Sequence, residues 1–386
     1  MPTHPASLRW LLCLGIALST TITTAEPPSD WYTRLQENRP LAALHGVRQM
    51  PEMDQVAAQV GVFLGDESAG CALFGRSTFP ENADYRDALD AIAEAASGRQ
   101  VVMLNESHFR SVHRAFLLRV IERLHAQGFD ALAAETLHRK APVQLRSGPV
   151  DVDTGFYTAD PVFAAALRRA RALGWDFVHY EAMGDNDRAA RESGQARNLA
   201  DWLEHNPGRR LLVYAGGSHI SKVVDDGWMA ARFIADTGIE PLTIQQSATA
   251  CPGSAEEWPV ESALARVAWR DGAPVRGSGD ADLMVLHPPA AVEAAKSVLG
   301  AQTSICIAPI EGETLLRAFA STDPALAIAR DQVRVPKDAR VASLWLSPGR
   351  YRIEREHPDG RQSLGLAVVP DGPVEACLSP SRADPA

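Results

Sequence analysis

Short apolar runs alternate with helix-forming segments along the middle of the chain, between residues 99 and 250. The apolar runs that predict buried strands are 101–104, 131–134, 175–180, 211–215 and 242–245. The segments that predict helices are 111–127, 161–173, 188–205 and 228–236, with Ser111 as the expected N-cap of the first. Strands and helices that alternate at this spacing form βαβ units. We therefore expect an α/β fold, a mostly parallel sheet flanked by helices, in a core domain over residues 96–310.

The chain after residue 310 has a different pattern. Apolar and polar residues alternate over residues 351–356, and the turn sequence Pro358-Asp359-Gly360 leads into another apolar run at 364–369. A period of two on both sides of a tight turn is typical of an antiparallel hairpin. This predicts a smaller β-rich C-terminal region over residues 311–386. Residues 26–95 are weakly patterned and receive no assignment.

The first 25 residues have the features of a signal peptide. Arg9 lies in a short polar start, the apolar run 10–18 is too short to span a bilayer, and small residues precede Glu26. We expect removal of residues 1–25 and a periplasmic or secreted protein. No later stretch reaches about 18 uncharged apolar residues, so no membrane span is expected after signal removal.

Charge and cysteine content narrow the classes of partner and the compartment. The 386 residues carry a net charge of −10, which excludes nucleic acid as a partner, because phosphates require clustered Lys and Arg. Outside the signal peptide the cysteines are Cys71, Cys251, Cys306 and Cys377. In an oxidising compartment they can form two disulfides, with three pairings open.

Carboxylates and histidines follow four successive predicted strands. Glu106 and His108 follow the first strand, Glu135 the second, Glu181 the third and His219 the fourth. Because ligands bind outside the carboxyl ends of the strands in an open parallel sheet, we expect these side chains to form one site. They are suited to hold a divalent metal (Zn, Mn or Co) or to let a carboxylate-oriented histidine activate water.

The helix predicted from residue 188 begins just after Glu181. Arg188, Arg191 and Asn198 are spaced by three and seven residues, so they share one helix face. Two arginines one turn apart repel each other unless an anion or carboxylate lies near. We therefore expect Arg188, Arg191, Asn198 and Glu181 to contribute to substrate binding.

Other catalytic motifs are absent from the sequence. Ile220 occupies the position where a Gly-x-Ser-x-Gly elbow around Ser218 needs its last glycine, so Ser218 is interpreted as a turn residue. The chain has no His-Glu-x-x-His, P-loop or Gly-x-Gly-x-x-Gly motif. Structural or surface roles are expected for the remaining histidines of this region, which are His113, His125, His138 and His179.

The strand-end motifs resemble those of the erythromycin esterase / ChaN / Tiki superfamily over about residues 99–250. The resemblance rests on the segment from Val101 to His108, on Gly216-Gly217-Ser218-His219 after an apolar strand, on Glu135, and on Arg191 with Asn198. The chain departs from the superfamily at Asn105, where a glycine is usual. It also departs at Gly216, where the esterases carry a histidine, which weakens a macrolide-esterase interpretation. The resemblance implies an α/β hydrolytic or ligand-binding site built on Glu106, His108, Glu135 and His219.

The leading hypothesis is an exported hydrolase of this kind that cleaves an ester or peptide bond in a small-molecule or peptide substrate. His108 and His219, oriented by Glu106 and Glu135, would activate water, or Glu106, His108 and His219 would bind a divalent metal. Arg191 would hold substrate or stabilise negative charge. The alternative is a haem- or small-ligand-binding protein without catalysis, with His108, His219 or Tyr214 as axial ligand. A degenerate member serving as a scaffold is a third hypothesis.

Overall fold

The described part of the protein contains three β-sheets. The computed structural model describes residues 30–74, 79–182, 187–251, 256–309, 312–372 and 376–381. Within those ranges the sheets have nine, two and four strands. The predicted signal peptide lies outside the described residues, so export stays a prediction.

The α-helices are α1 (Trp31–Gln36), α2 (Pro40–Arg48), α3 (Asp54–Phe63), α4 (Ser68–Phe74), α5 (Ala88–Ala95), α6 (Ser111–His125), α7 (Ala141–Gln144), α8 (Pro161–Ala172), α9 (Arg188–His205), α10 (Met229–Thr237) and α11 (Pro289–Glu293). The strands of the nine-stranded sheet are β1 (Asp84–Asp87), β2 (Val101–Glu106), β3 (Ala131–Ala134), β4 (Asp176–Val178), β5 (Leu211–Gly216), β6 (Leu242–Thr249), β7 (Arg266–Arg270), β8 (Ala273–Pro274) and β9 (Leu283–His287). The remaining strands are β10 (Ala301–Cys306), β11 (Thr314–Ala320), β12 (Asp331–Val335), β13 (Val341–Leu346), β14 (Gly349–His357) and β15 (Gly360–Val369). No described helix is both long enough and apolar enough to cross a membrane.

The large sheet confirms the predicted fold class. Its strand order is β1-β7-β9-β6-β2-β5-β3-β4, and the six strands from β9 to β4 run parallel. At one edge β7 runs antiparallel to β9, and β1 and β8 each pair antiparallel with β7. Val102 and Leu104 of the central strand β2 pack in one buried cluster with α6 and α8, whereas Val101 and Met103 pack in another with α9 and α10. Since successive side chains of a strand point to opposite faces, a strand covered on both faces is apolar throughout.

Residues 30–95 form part of the main core, which the weak sequence pattern did not predict. Helices α1 to α3 and α5 contribute buried side chains to the same apolar cluster as one face of the large sheet, among them Trp31, Leu44, Phe63 and Ile92. Glu67, the residue before helix α4, accepts a hydrogen bond from the backbone N–H of Ser111 at 2.8 Å. The N-terminal segment is therefore a packing partner of the α/β core and of helix α6.

The C-terminal strands form an antiparallel region, as predicted, with a two-residue turn between β14 and β15. Strand β10 pairs with β13, so the strands of this region begin at Ala301, earlier than the expected boundary at residue 310. A buried ion pair ties the region to helix α2. Arg317 donates to Asn38 Oδ1 at 2.6 Å and lies 3.4 Å from Glu356, whose other oxygen accepts the backbone N–H of Leu41 at 3.0 Å.

The structure selects one of the three disulfide pairings left open by the sequence. Cys71 of α4 is bonded to Cys251, which follows β6, and Cys306 of β10 is bonded to Cys377. The first disulfide lies beside helix α6, since the guanidinium group of Arg110 donates to both of its sulfur atoms. Each bond joins segments far apart in sequence.

Two local expectations are corrected by the structure. Ser111 is the first residue of α6 rather than its cap, because its hydroxyl donates to Asp160 at 2.9 Å and its backbone N–H is held by Glu67. The strand predicted over 175–180 is confined to Asp176–Val178. Beyond it the carbonyls of residues 180 and 181 accept hydrogen bonds from the Asn198 side chain, which replaces strand pairing there.

Replacing Arg317 by leucine should lower the free energy of unfolding by about 3–5 kcal/mol, because it removes the cation that is paired with the buried carboxylate of Glu356. The measurement is the midpoint of urea denaturation. Arg361→Leu, which removes an exposed charge opposite Glu356 on β15, is the control and should change stability by no more than about 0.5 kcal/mol. Equal effects of the two variants would contradict the role assigned to the buried pair.

A cluster of Glu, His and Arg at one edge of the sheet

The residues predicted to form a site meet at the carboxyl edge of the large sheet. Strands β2, β5, β3 and β4 are neighbours in the sheet in that order, which differs from their order β2, β3, β4, β5 along the chain. The predicted residues lie at or after the ends of these strands, which brings Glu106, Glu135, Glu181 and His219 to the same edge. All four of these side chains are buried.

Glu106 ends β2 and is fixed by Arg114 of helix α6. The guanidinium group, which is 0% exposed, donates through Nε to Oε2 at 3.0 Å and through Nη2 to Oε1 at 3.1 Å. Tyr214 of β5 donates its hydroxyl to Oε2 at 2.7 Å. Burial alone would raise the pKa of Glu106, but the charge of Arg114 and the hydrogen bond from His108 outweigh it and lower the pKa to about 2. Glu106 is therefore a fixed negative charge at neutral pH.

His108 is held by Glu106 on one side and by an aromatic ring on the other. Its Nδ1 lies 2.8 Å from Glu106 Oε1. Since an ionised carboxylate can only accept a hydrogen bond, Nδ1 carries the proton and Nε2 is the basic nitrogen of the neutral ring. The ring stacks on Tyr157 with centroids 4.4 Å apart, and the side chain is 12% exposed. The ring is thus fixed in orientation, and a small part of it is exposed.

Glu135 lies at the centre of the cluster, between the two histidines. Its Oε2 accepts the backbone N–H of Gly216, and its Oε1 accepts Arg191 Nη2 at 3.0 Å. Burial would raise the pKa of Glu135, but the charges that His219 and His108 carry when protonated, together with that of Arg191, outweigh it and lower the pKa. A Cβ at residue 216 would lie 2.4 Å from His108 Cε1 and 2.9 Å from Glu135 Oε2. Only glycine at residue 216 lets the His108 ring and this carboxylate approach each other without a clash.

His219 has a carboxylate of its own, which the sequence did not identify. It lies in the 3-10 turn after β5, and its Nδ1 is 2.9 Å from Oε2 of Glu192 on helix α9. Glu135, the expected orienting group, lies 3.7 Å from the other nitrogen, Nε2. Burial would lower the pKa of His219, but the charge of Glu135 and the hydrogen bond and charge of Glu192 outweigh it, so the pKa is raised. The two carboxylates thus favour the protonated form of His219 more than burial alone would allow.

Arg191 and Asn198 of helix α9 take different roles from each other. Arg191 Nη2 also donates to both oxygens of Glu181, at 3.2 and 3.3 Å, and its Nη1 lies 3.3 Å from His219 Nε2. Its side chain is 20% exposed, which leaves it open to a ligand. Asn198 donates to the backbone carbonyls of Tyr180 and Glu181 at 2.9 and 3.2 Å, so it holds the end of the β4 segment in place.

Arg188 is not brought against the buried carboxylates. Its guanidinium group lies over the ring of Trp228, 4.5 Å from the centroid, and donates to the Asp226 carbonyl at 3.0 Å. Trp228 in turn meets His219 edge-on, with ring centroids 5.7 Å apart. Trp228 thus separates Arg188 from the cluster, and the role of Arg188 in substrate binding stays a prediction.

Four other histidines have partners of a structural kind, as expected. His113 is buried; its Nδ1 accepts the backbone N–H of Ser107 at 2.9 Å, and its Nε2 lies 2.7 Å from Thr249 Oγ1. The remaining three make one contact each with a tryptophan N–H or a backbone carbonyl: His125 with Trp175, His138 with Asp153 and His179 with Leu137.

The groups of this cluster do not fit a divalent metal. Both oxygens of Glu106 are already taken by Arg114, Tyr214 and His108, and the guanidinium group of Arg191 lies where a cation between His219 and Glu135 would be. Across the described ranges, no group of three or more His, Cys, Asp or Glu side chains is arranged to hold a metal ion. Haem binding stays a prediction, but Tyr214, one of its candidate ligands, has its hydroxyl committed to Glu106.

Comparison with known proteins gives only distant similarities of fold. No family model and no curated protein matches the chain. The type III effector HopBA1 is 15% identical, with 53% of this chain and 95% of that chain covered and a TM-score of 0.35. RRSP, a MARTX toxin effector domain from Vibrio vulnificus CMCP6, is 15% identical, with 56% and 45% covered and a TM-score of 0.31. At these values the similarities carry no argument about function, and the superfamily resemblance of the sequence motifs stays a prediction.

Gly216→Ala should destabilise the protein by about 1–3 kcal/mol, because the added methyl group overlaps the His108 ring and the Glu135 carboxylate. The backbone at Gly216 is extended, so no backbone strain contributes. Thermal denaturation measures the loss, and a crystal structure of the variant should show His108 displaced from Glu106. Gly360→Ala is the control, because φ at Gly360 is not positive and no atom lies within 4 Å of the new methyl group, so stability should change by no more than about 0.5 kcal/mol. An unmoved His108 ring in Gly216→Ala would contradict the close approach described above.

Proposed function

We propose that the protein is a hydrolase that cleaves an ester or peptide bond with a water molecule activated by His108, without a metal. One observation carries the proposal. His108 and His219 lie beside the same carboxylate, Glu135, and the Nδ1 atom of each is hydrogen-bonded to a different buried carboxylate. The distances are 2.8 Å from His108 to Glu106 and 2.9 Å from His219 to Glu192. A histidine whose Nδ1 proton is fixed by a carboxylate presents a basic Nε2, which is the arrangement that general-base catalysis requires.

His108 is the proposed general base. Glu106 holds the Nδ1 proton, so a water molecule at Nε2 can give up its proton as it attacks a carbonyl carbon. The imidazolium ion that forms is stabilised by Glu106, which stays ionised because Arg114 and Tyr214 both donate to it. Glu106 acts through His108 and is a positioning residue.

His219 and Arg191 are the proposed acid and electrostatic groups. The raised pKa of His219 keeps a proton available for the leaving group, and Arg191 beside it stabilises the negative charge that develops on the substrate. Two histidines with different surroundings can thus divide the base and acid roles between them.

The charge of the cluster favours an uncharged acyl group over a phosphate as the group attacked. The carboxylates outnumber the cations by two even when His219 is protonated: Glu106, Glu135, Asp160, Glu181 and Glu192 against Arg114, Arg191 and His219. An added phosphate would bring further negative charge into a buried site that already has an excess. A neutral ester or amide adds none.

His108→Ala and His219→Ala should each lower kcat by at least about 10²-fold on a substrate that the wild-type protein hydrolyses, because each removes a proton-transfer group. The assay is a panel of p-nitrophenyl esters, alkyl esters and fluorogenic peptides, with circular dichroism to show that the fold is retained. The effect of His219→Ala is measured on the alkyl esters and peptides, because p-nitrophenolate leaves without needing a proton. His205→Ala, at the exposed end of helix α9, is the matched control. Wild-type rates in both site variants would exclude the assigned site.

Glu192→Gln should move the alkaline limb of the pH–rate profile to lower pH. Glu192 contributes to raising the pKa of His219 above 6.5, and the acid form is lost as pH rises through that pKa. Removing one of the causes therefore lowers the pH at which the rate falls. The measurement is kcat against pH for Glu192→Gln and for Glu204→Gln, an exposed carboxylate on the same helix. An alkaline limb at the same pH in both variants would show that His219 is not the acid.

A further inference from the structure

A buried hydroxyl group beside the cluster has no hydrogen-bond partner. Tyr157 lies in the 3-10 turn Tyr157–Ala159 before helix α8, is 2% exposed, and stacks its ring on that of His108. No described residue hydrogen-bonds its Oη. Because an unpaired buried polar group is destabilising, most such groups in folded proteins have a partner. The unpaired hydroxyl of Tyr157 beside His108 therefore needs an explanation.

Two other buried tyrosines of the same region do not share this property. Tyr214 donates its hydroxyl to Glu106 Oε2 at 2.7 Å, and Tyr180 donates to the Tyr214 carbonyl at 3.2 Å. Both hydroxyls serve the fold, since their partners are fixed protein atoms. Tyr157 differs from them in that none of the described residues accepts a hydrogen bond from its hydroxyl.

The surroundings of Tyr157 set which kind of partner it can take. Burial, and after it the charges of Glu135 and Glu106, raise the pKa of Tyr157 well above its ordinary value, so the phenol keeps its proton and acts as a donor. Glu135 does not accept a hydrogen bond from the Tyr157 hydroxyl in this structure, although its charge acts on the phenol. An oxygen atom that gains negative charge is the acceptor that a buried phenol favours most.

The position of the phenol is fixed by the segment that follows β3. Leu137 and Gly155 form an antiparallel bridge, and the backbone N–H of Tyr157 lies 3.4 Å from the Thr136 hydroxyl. A Cβ at Gly155 would lie 2.5 Å from the Thr136 carbonyl, so the two segments are in the closest contact that a glycine permits. Tyr157 is therefore held against the chain next to Glu135 on a rigid support, as a catalytic donor needs to be.

We propose that Tyr157 is a further catalytic residue, which donates a hydrogen bond from Oη to the substrate carbonyl oxygen as that oxygen becomes an oxyanion. The inference rests on the proposed hydrolase function. Water attacks the carbonyl carbon and gives its proton to His108 Nε2, while the electron pair of the C=O π bond moves to the oxygen. Tyr157 keeps its own proton throughout. When the intermediate collapses, the bond to the leaving group breaks and His219 supplies the leaving group with a proton.

Tyr157→Phe tests this role, because it removes the hydroxyl and keeps the ring against His108. We expect kcat to fall by about 10²-fold on the p-nitrophenyl ester that the wild type hydrolyses fastest, with little change in KM. We also expect the Tm to stay the same or rise, since the hydroxyl has no partner to lose. Tyr180→Phe and Tyr214→Phe are matched controls that each lose a bonded hydroxyl, and both should lower the Tm.

The possible failures can be told apart. If His108→Ala is inactive while Tyr157→Phe keeps the wild-type kcat, the role of Tyr157 is wrong and the proposed function survives. If Tyr157→Phe lowers the Tm as the two controls do, its hydroxyl has a structural partner and the catalytic role is overturned. If the wild type hydrolyses none of the esters or peptides, the proposed function is overturned together with the role of Tyr157.

Discussion

The buried ion pair between Arg114 and Glu106 is the interaction on which the site depends. It keeps Glu106 ionised inside the protein, and the ionised carboxylate in turn fixes the Nδ1 proton of His108. The same guanidinium group donates to Asp160 at 2.9 Å, which caps helix α8 by accepting the backbone N–H of Val162 at 2.8 Å. One arginine thus joins β2, α6 and α8, and without it two carboxylates would be buried without a cation.

The second half of the cluster repeats this arrangement with different elements. Helix α9 places Arg191 and Glu192 side by side, so that one pairs with Glu135 and Glu181 while the other holds His219. The two histidines come from turns after β2 and β5, which are neighbours in the sheet, and Glu135 lies between them. Parallel strands explain why side chains distant in sequence meet there, because the carboxyl ends of such strands share one edge.

Much of this arrangement was predictable from the sequence, because the residue pattern within each strand and helix indicates that element. Buried strands and amphipathic helices have clear periods, so the α/β fold and the residues at the strand ends could be identified. Arg114 and Glu192 were missed because a charged residue inside a helix looks the same whether it faces solvent or a buried partner. Tyr157 lies in a turn without any repeating pattern. Helices α2 and α3 lack a clear period because buried residues lie on most of their surface. In α3 the last six residues, 58–63, are all buried.

The central claim is that two histidines, each oriented by a carboxylate, catalyse hydrolysis without a metal. The most direct test is the rate of hydrolysis after metals have been removed. The purified protein is dialysed against a chelator, its Zn, Mn, Co and Fe content is determined by elemental analysis, and its rate on an ester that it hydrolyses is compared with that of the untreated protein. The proposed site predicts an undiminished rate at substoichiometric metal content. A rate that is lost with the metal and restored by adding Zn²⁺, Mn²⁺ or Co²⁺ would contradict it.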